Sequence, residues 1–134
     1  MTRSAVHTDQ APAAIGPYSQ AVRFGRLLFV SGTLPIDPQT GQMIPGDIEA
    51  QAHRVFRNLT AIAAAAGGRL GDAVKVTVFL ADLGDFQRVN GVYRQYFQEP
   101  YPARSAVQVA ALPLGAPIEV EAIIALTEAP PSSS

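Results

Sequence analysis

Three groups of side chains in this 134-residue chain could do chemistry unaided. The first is Arg104, in the run Pro102-Ala103-Arg104-Ser105. A guanidinium offers a planar fork that matches a carboxylate in two parallel hydrogen bonds, and it stays charged at every relevant pH. Pro102 restricts its neighbour to extended geometry and fixes how the chain enters a strand beginning at Ser105. Arg104 therefore sits at a strand mouth, where a ligand clamp and an ordinary ion pair fit equally well. The second group is Glu119 and Glu121. Two residues apart on one strand, they point to the same side, about 7 Å from each other and opposite to Ile118, Val120 and Ala122. If a subunit contact shields either carboxyl, its pKa rises and it can orient a water as general base; a solvated sheet face is the alternative. The third group is Tyr18, a phenol directly after Gly16-Pro17, and Asn90, a weak helix former inside a helical stretch. Each has two readings: pocket wall or core packing for Tyr18, a hydrogen-bonding task or plain exposure for Asn90.

Other chemistries find no footing. His7 lies in a polar terminus, and His53 lies among Gln51, Arg54 and Arg57 with no carboxylate at ligand spacing, so no metal site is expected. There is no cysteine, which excludes thiolate nucleophiles and disulfides. Gly67-Gly68 follows a helix where a phosphate cradle would precede one.

The elements that must position these residues are legible from punctuation and period. Two short strands over 21–32 flank a turn at Gly25, and Leu27-Leu28-Phe29-Val30 is too apolar for a strand exposed on either face, which makes it central. Pro45-Gly46-Asp47 supplies a stop and an N-cap. Ile48, Ala52, Val55, Leu59, Ile62 and Ala66 then recur at helical spacing until Gly67-Gly68. Val74, Val76, Val78 and Leu80 alternate with Lys75, Thr77 and Phe79 as a strand. Asp85 is expected to cap a second helix whose buried stripe is Phe86, Val89, Tyr93 and Tyr96 or Phe97. Strands at Ser105–Val109 and Ile118–Leu126 follow, joined by the loop 112–117. The expected order is β-β-α-β-α-β-β, an α+β single domain over 1–128 with a mixed sheet and both helices on one face. Residues 129–134 are expected to be a disordered tail.

Ten basic residues balance eleven acidic ones for a net charge of −1, so the chain has no overall electrostatic pull toward nucleic acid. Charged residues are only 16% of the total, and two helices leave one apolar sheet face uncovered; a homo-oligomer is the expected remedy. With no secretory signal and no membrane-length apolar run, the protein is expected to be soluble and cytoplasmic.

Taken together, Ile15-Gly16-Pro17-Tyr18-Ser19-Gln20, Val30-Ser31-Gly32, Pro102-Ala103-Arg104-Ser105 and Ile118-Glu119-Val120-Glu121-Ala122 closely resemble the reactive intermediate deaminase family, also called YjgF-like or L-PSP proteins. The match runs from Ala11 to about Thr127. The resemblance implies a chorismate-mutase-like homotrimer with clefts at the subunit interfaces. It implies hydrolysis of 2-imino and 2-enamino acids, such as 2-iminobutanoate and 2-iminopropanoate, to 2-oxo acids and ammonia, with no cofactor and no metal. It implies that Arg104 binds the substrate carboxylate, that Glu119 positions or activates the water, and that Tyr18, Ser31 and Asn90 line the cleft. Backbone groups of Gly32 and Ala106 would contact substrate, the Ala106 carbonyl accepting from the imine nitrogen. Many members carry cysteine where this chain has Ala106, so only the backbone can act there. The connection from Asn90 to Arg104 is also a few residues shorter than in enteric-type members. Two other readings remain open at this point: the endoribonuclease or translation-inhibitor activity long attached to the family, which needs a basic track for phosphates, and a non-catalytic module that binds a small carboxylate.

Overall fold

A computed structural model describes residues 2–127, so the tail expected at 129–134 lies outside the described residues. Six strands and two helices run β1 (Ser4–Val6), β2 (Ala21–Phe24), β3 (Leu27–Thr33), α1 (Ile48–Ala65), β4 (Ala73–Leu80), α2 (Phe86–Tyr96), β5 (Ala103–Gln108) and β6 (Ile118–Ala125). The expected order holds with one strand added in front. Ser4–Val6, read as part of a polar terminus, pairs antiparallel with Ala21–Arg23, a three-residue edge that leaves no periodic signal of its own.

The sheet order is β1-β2-β3-β6-β4-β5, antiparallel throughout except for the parallel pair β4 and β5. β3 is interior, as its apolar run requires. Its side chains nonetheless divide: Leu28 and Val30 are buried, whereas Leu27 and Phe29 face outward and are exposed in the isolated chain. The expectation that neither face of this strand is open therefore fails for one chain taken alone. β4 alternates as expected from Val76 onward, but Val74 is exposed. Ala73 pairs with Ile124 and Lys75 with Ile123, so Val74 is the extra residue of a bulge and turns away from the core.

α1 starts where Asp47 accepts from Ala50 N–H at 2.9 Å, and it buries Ile48, Ala52, Val55, Phe56, Leu59, Ile62 and Ala63. It stops at Gly67, whose φ of 78° suits glycine, with Gly68 N–H closing on Ala63 O. α2 lacks the side-chain cap expected from Asp85; Asp82 instead accepts from Gly84 N–H, within the short turn Leu83–Asp85 that leads into the helix. Both helices cover the face carrying Val76, Val78, Leu80, Ile118, Val120, Ala122 and Ile124, which together with α1 and α2 make one core. The opposite face carries Lys75, Thr77, Phe79, Glu119, Glu121 and Ile123, and among the described residues no helix packs over it as α1 and α2 do over its reverse.

Candidate functional site

Strand register sorts the candidate residues into two separate groups. Arg104 pairs with Val76 and Ala106 with Val78, so both side chains belong to the helix-covered face. Glu119 pairs with Phe79 and belongs to the outer face. From those pairings Arg104 and Glu119 stand about 10 Å apart along the strands and about 10 Å across them, pointing to opposite sides. Within one chain they cannot reach the same small molecule.

The outer group surrounds Glu119. In β3, Val30 pairs with Ala122 and Thr33 with Val120, three residue steps against two, which makes a bulge of Ser31 and Gly32. Hydrogen bonds lock it: Ser31 N–H donates to Gln20 O at 3.0 Å, Ser31 Oγ to Ser19 O at 2.6 Å, and Thr33 Oγ1 to Ser31 O at 2.9 Å. Gly32 lies under the Glu119 carboxyl. A Cβ there would stand 2.8 Å from the carboxyl carbon, so the bare backbone is what lets the carboxylate lie where it does. Pro12, Ile15, Tyr18, Ser31, Gly32 and Glu119 are among the walls of a cavity of about 550 Å³. The buried Gln20 amide holds the N-terminal wall by donating to the carbonyls of Thr8, Ala11 and Pro12. Tyr18 itself is half exposed, its hydroxyl receiving only a long bond from Ile15 N–H, so of its two readings the structure takes the pocket wall. Burial, and secondarily the adjacent Glu121 carboxylate, push the Glu119 carboxyl above the ordinary glutamate value. No described residue donates a hydrogen bond to it.

The inner group surrounds Arg104. Its Nη1 donates to Asn90 Oδ1 at 2.7 Å, and no carboxylate among the described residues lies within ion-pair distance. Of the two readings for Arg104, the ordinary ion pair is therefore absent. Asn90, of which plain exposure was one reading, is half-buried and bonded. Arg104, Asn90, Tyr93, Arg94, Tyr101 and Pro102 line a second cleft of about 320 Å³. Ala106 lines neither cavity. Val109 N–H donates to Leu80 O, so the two-residue alternation of β5 turns the backbone groups of Ala106 away from β4, toward the open edge of the sheet.

Helical spacing marks Tyr93 and Phe86 only as core, yet their rings lie 4.7 and 5.2 Å from the Arg104 guanidinium carbon. Their spacing with Asn90, at positions 86, 90 and 93, is the signal that could have found them. The histidines do other work: His53 Nδ1 bonds the Tyr96 hydroxyl at 2.9 Å and His7 contacts Asp9 at the surface. Among the described residues no three His, Cys, Asp or Glu side chains gather as a metal site would need, and no helix is long and apolar enough to cross a membrane.

Residues 8–126 match the family model described as endoribonuclease L-PSP. The chain is 50% identical over 123 residues to the 2-iminobutanoate/2-iminopropanoate deaminase of Bos taurus, covering 92% of this chain and 90% of that one. Among solved structures it resembles RidA from the Antarctic bacterium Psychrobacter, with a TM-score of 0.88 and 50% identity over 92% of this chain and 99% of that one. It also resembles E. coli TdcF with bound serine, with a TM-score of 0.87 and 44% identity over 92% and 99%.

Proposed function

The chain belongs to the endoribonuclease L-PSP family, and from that premise we propose that it hydrolyses 2-imino and 2-enamino acids to 2-oxo acids and ammonia, at sites shared between copies in a homotrimer. The observation that carries this reading is Arg104: a half-buried guanidinium in a cleft, tied to a neutral amide and without a carboxylate partner among the described residues. An un-neutralised cation so placed is suited to a ligand carboxylate. The serine bound to the E. coli neighbour is a ligand of that chemistry.

The work divides between the two groups. Arg104 grips the substrate carboxylate and Asn90 steadies it. Glu119, supplied by a second copy across the uncovered sheet face, takes a proton from water as the water oxygen bonds to C2 of the iminium and the C=N electron pair moves to nitrogen. The same carboxyl returns that proton to the amino group. The C–N bond then breaks, the hydroxyl collapses to a carbonyl, and nitrogen leaves as ammonium with the hydroxyl proton. A carboxyl pushed above its usual pKa is a better match for proton transfer near neutral pH than an ordinary glutamate. Tyr18, Ser31 and the Gly32 backbone wall the cleft, and the Ala106 carbonyl on the open edge accepts from the imine nitrogen. Everything is positioning, so neither cofactor nor thiol enters the scheme.

The test is a coupled assay in which a threonine dehydratase supplies 2-iminobutanoate. The proposed enzyme accelerates release of 2-oxobutanoate over the spontaneous rate. Saturable binding of 2-oxobutanoate with no acceleration would make the protein a carboxylate-binding module instead. The family's endoribonuclease label finds no support in a net charge of −1 with a single lysine.

A further inference from the structure

Phe86, Asn90 and Tyr93 fall at i, i+4 and i+7 on α2, one stripe facing one strand position. All three touch the same group. Asn90 Oδ1 takes one hydrogen of Arg104 Nη1, while the Tyr93 and Phe86 rings lie 4.7 and 5.2 Å from the guanidinium carbon. Aromatic faces hold a cation through their quadrupole without neutralising it, whereas a carboxylate would hold it and cancel its charge together. Tyr93 is fixed in turn, packed against Phe97 at 4.4 Å and edge-on to Phe56, and is only 4% exposed. Its hydroxyl is buried and has no hydrogen-bond partner among the described residues. The contribution visible at this site is therefore made by the ring.

Resting on the reading of Arg104 as the carboxylate anchor, we propose that Phe86 and Tyr93 are positioning residues. With Asn90 they form a charge-neutral cradle on α2 that fixes the guanidinium in the cleft and keeps its full charge for the ligand. The cradle does the orienting that a counter-ion does for an ordinary buried arginine, at no cost in free charge.

Two readouts test it on the full-length protein: the affinity for 2-oxobutanoate by ligand-observed NMR titration, which needs no turnover, and the split of KM against kcat for 2-iminobutanoate. Phe86→Leu and Tyr93→Leu are expected to weaken 2-oxobutanoate binding about three- to tenfold and to raise KM by a similar factor, with a smaller effect on kcat. Tyr93→Phe and Phe86→Tyr, which keep the rings, are expected to recover most of that loss. Asn90→Asp, which hands Arg104 a counter-ion of nearly identical shape, is expected to weaken binding at least about tenfold. Should Tyr93→Leu fail to fold, Phe86→Leu and Asn90→Asp decide the matter, since neither residue is fully buried. Wild-type affinity in a folded Phe86→Leu or in Asn90→Asp would overturn the cradle, as would a Tyr93→Phe as weak as Tyr93→Leu. Arg104→Ala separates this from the underlying reading. If Arg104→Ala loses binding and Phe86→Leu does not, the cradle alone is wrong; if Arg104→Ala binds normally, the anchor is wrong and the cradle falls with it.

Discussion

The two halves of the candidate site are built by opposite means. Arg104 is held by regular structure: a strand position met by one stripe of a helix, with a neutral amide and two aromatic rings around the charge. Glu119 is held by irregular structure: a bulge in β3 brings a glycine under its carboxyl, and burial makes that carboxyl reluctant to ionise. The first arrangement leaves a cation free to bind; the second leaves a carboxyl free to move a proton. Under the proposed function, anchoring and proton transfer sit on opposite faces of one sheet, and joining the two halves takes a second copy.

If that division is right, lesions in the two halves should fail differently. Arg104→Ala is expected to have the largest effect, lowering kcat/KM for 2-iminobutanoate about a thousandfold and abolishing measurable 2-oxobutanoate binding, because it removes the charge that the ligand pairs with. Glu119→Gln comes next: kcat falls about a hundredfold while 2-oxobutanoate still binds, the pattern of a lost general base. A Glu119→Gln that loses binding as well would erase the distinction between the halves. Gly32→Ala is smaller, about tenfold in kcat, since its Cβ displaces the carboxyl rather than deleting it. Its thermal stability should hardly change, because the clash is with the end of a flexible side chain.

The smallest effect is on stability against pH. The Glu119 carboxyl lies above its unfolded value, so the folded state binds its proton more tightly, and ionising Glu119 costs the fold as pH rises through that range. Glu119→Gln should accordingly raise the melting temperature at neutral pH, and the gain should vanish as pH falls below the ordinary glutamate value. A gain that persists in acid would trace to something other than charge. The same sign gives the activity profile a rising acid limb, shifted upward from that of an ordinary glutamate, which a pH–rate measurement would locate.

How far the sequence shows these features follows from how each is made. α1 can be read nearly to the residue, because its cap, stripe and glycine stop are all local signals. The alternation of Ile118 to Ala122 shows Glu119 and Glu121 on one face for the same reason. Bulges defeat such reading: Val74 and Ser31-Gly32 break the period of two through their partners' register, which no local pattern contains. β1 is three residues long and carries no pattern at all. The outward-facing Leu27 and Phe29 read as core because apolar content does not say which face of a strand its own chain covers. Most telling is Tyr93, whose burial was evident from its helical spacing. Its contact with Arg104 depends on which strand lies beneath the helix, and that is settled only by β5 pairing parallel with β4.

The central claim, that one working site needs Arg104 from one copy and Glu119 from another, is tested most directly by mixing two inactive variants. Arg104→Ala and Glu119→Gln proteins are dissociated together, reassembled at equal concentration, and assayed on 2-iminobutanoate, with mixed oligomers verified by native mass spectrometry. In a closed ring of head-to-tail interfaces, random assortment regenerates intact Arg104–Glu119 pairs at about one interface in four, and activity should return to about that fraction of wild type. Mixed oligomers as inactive as either parent would contradict the account.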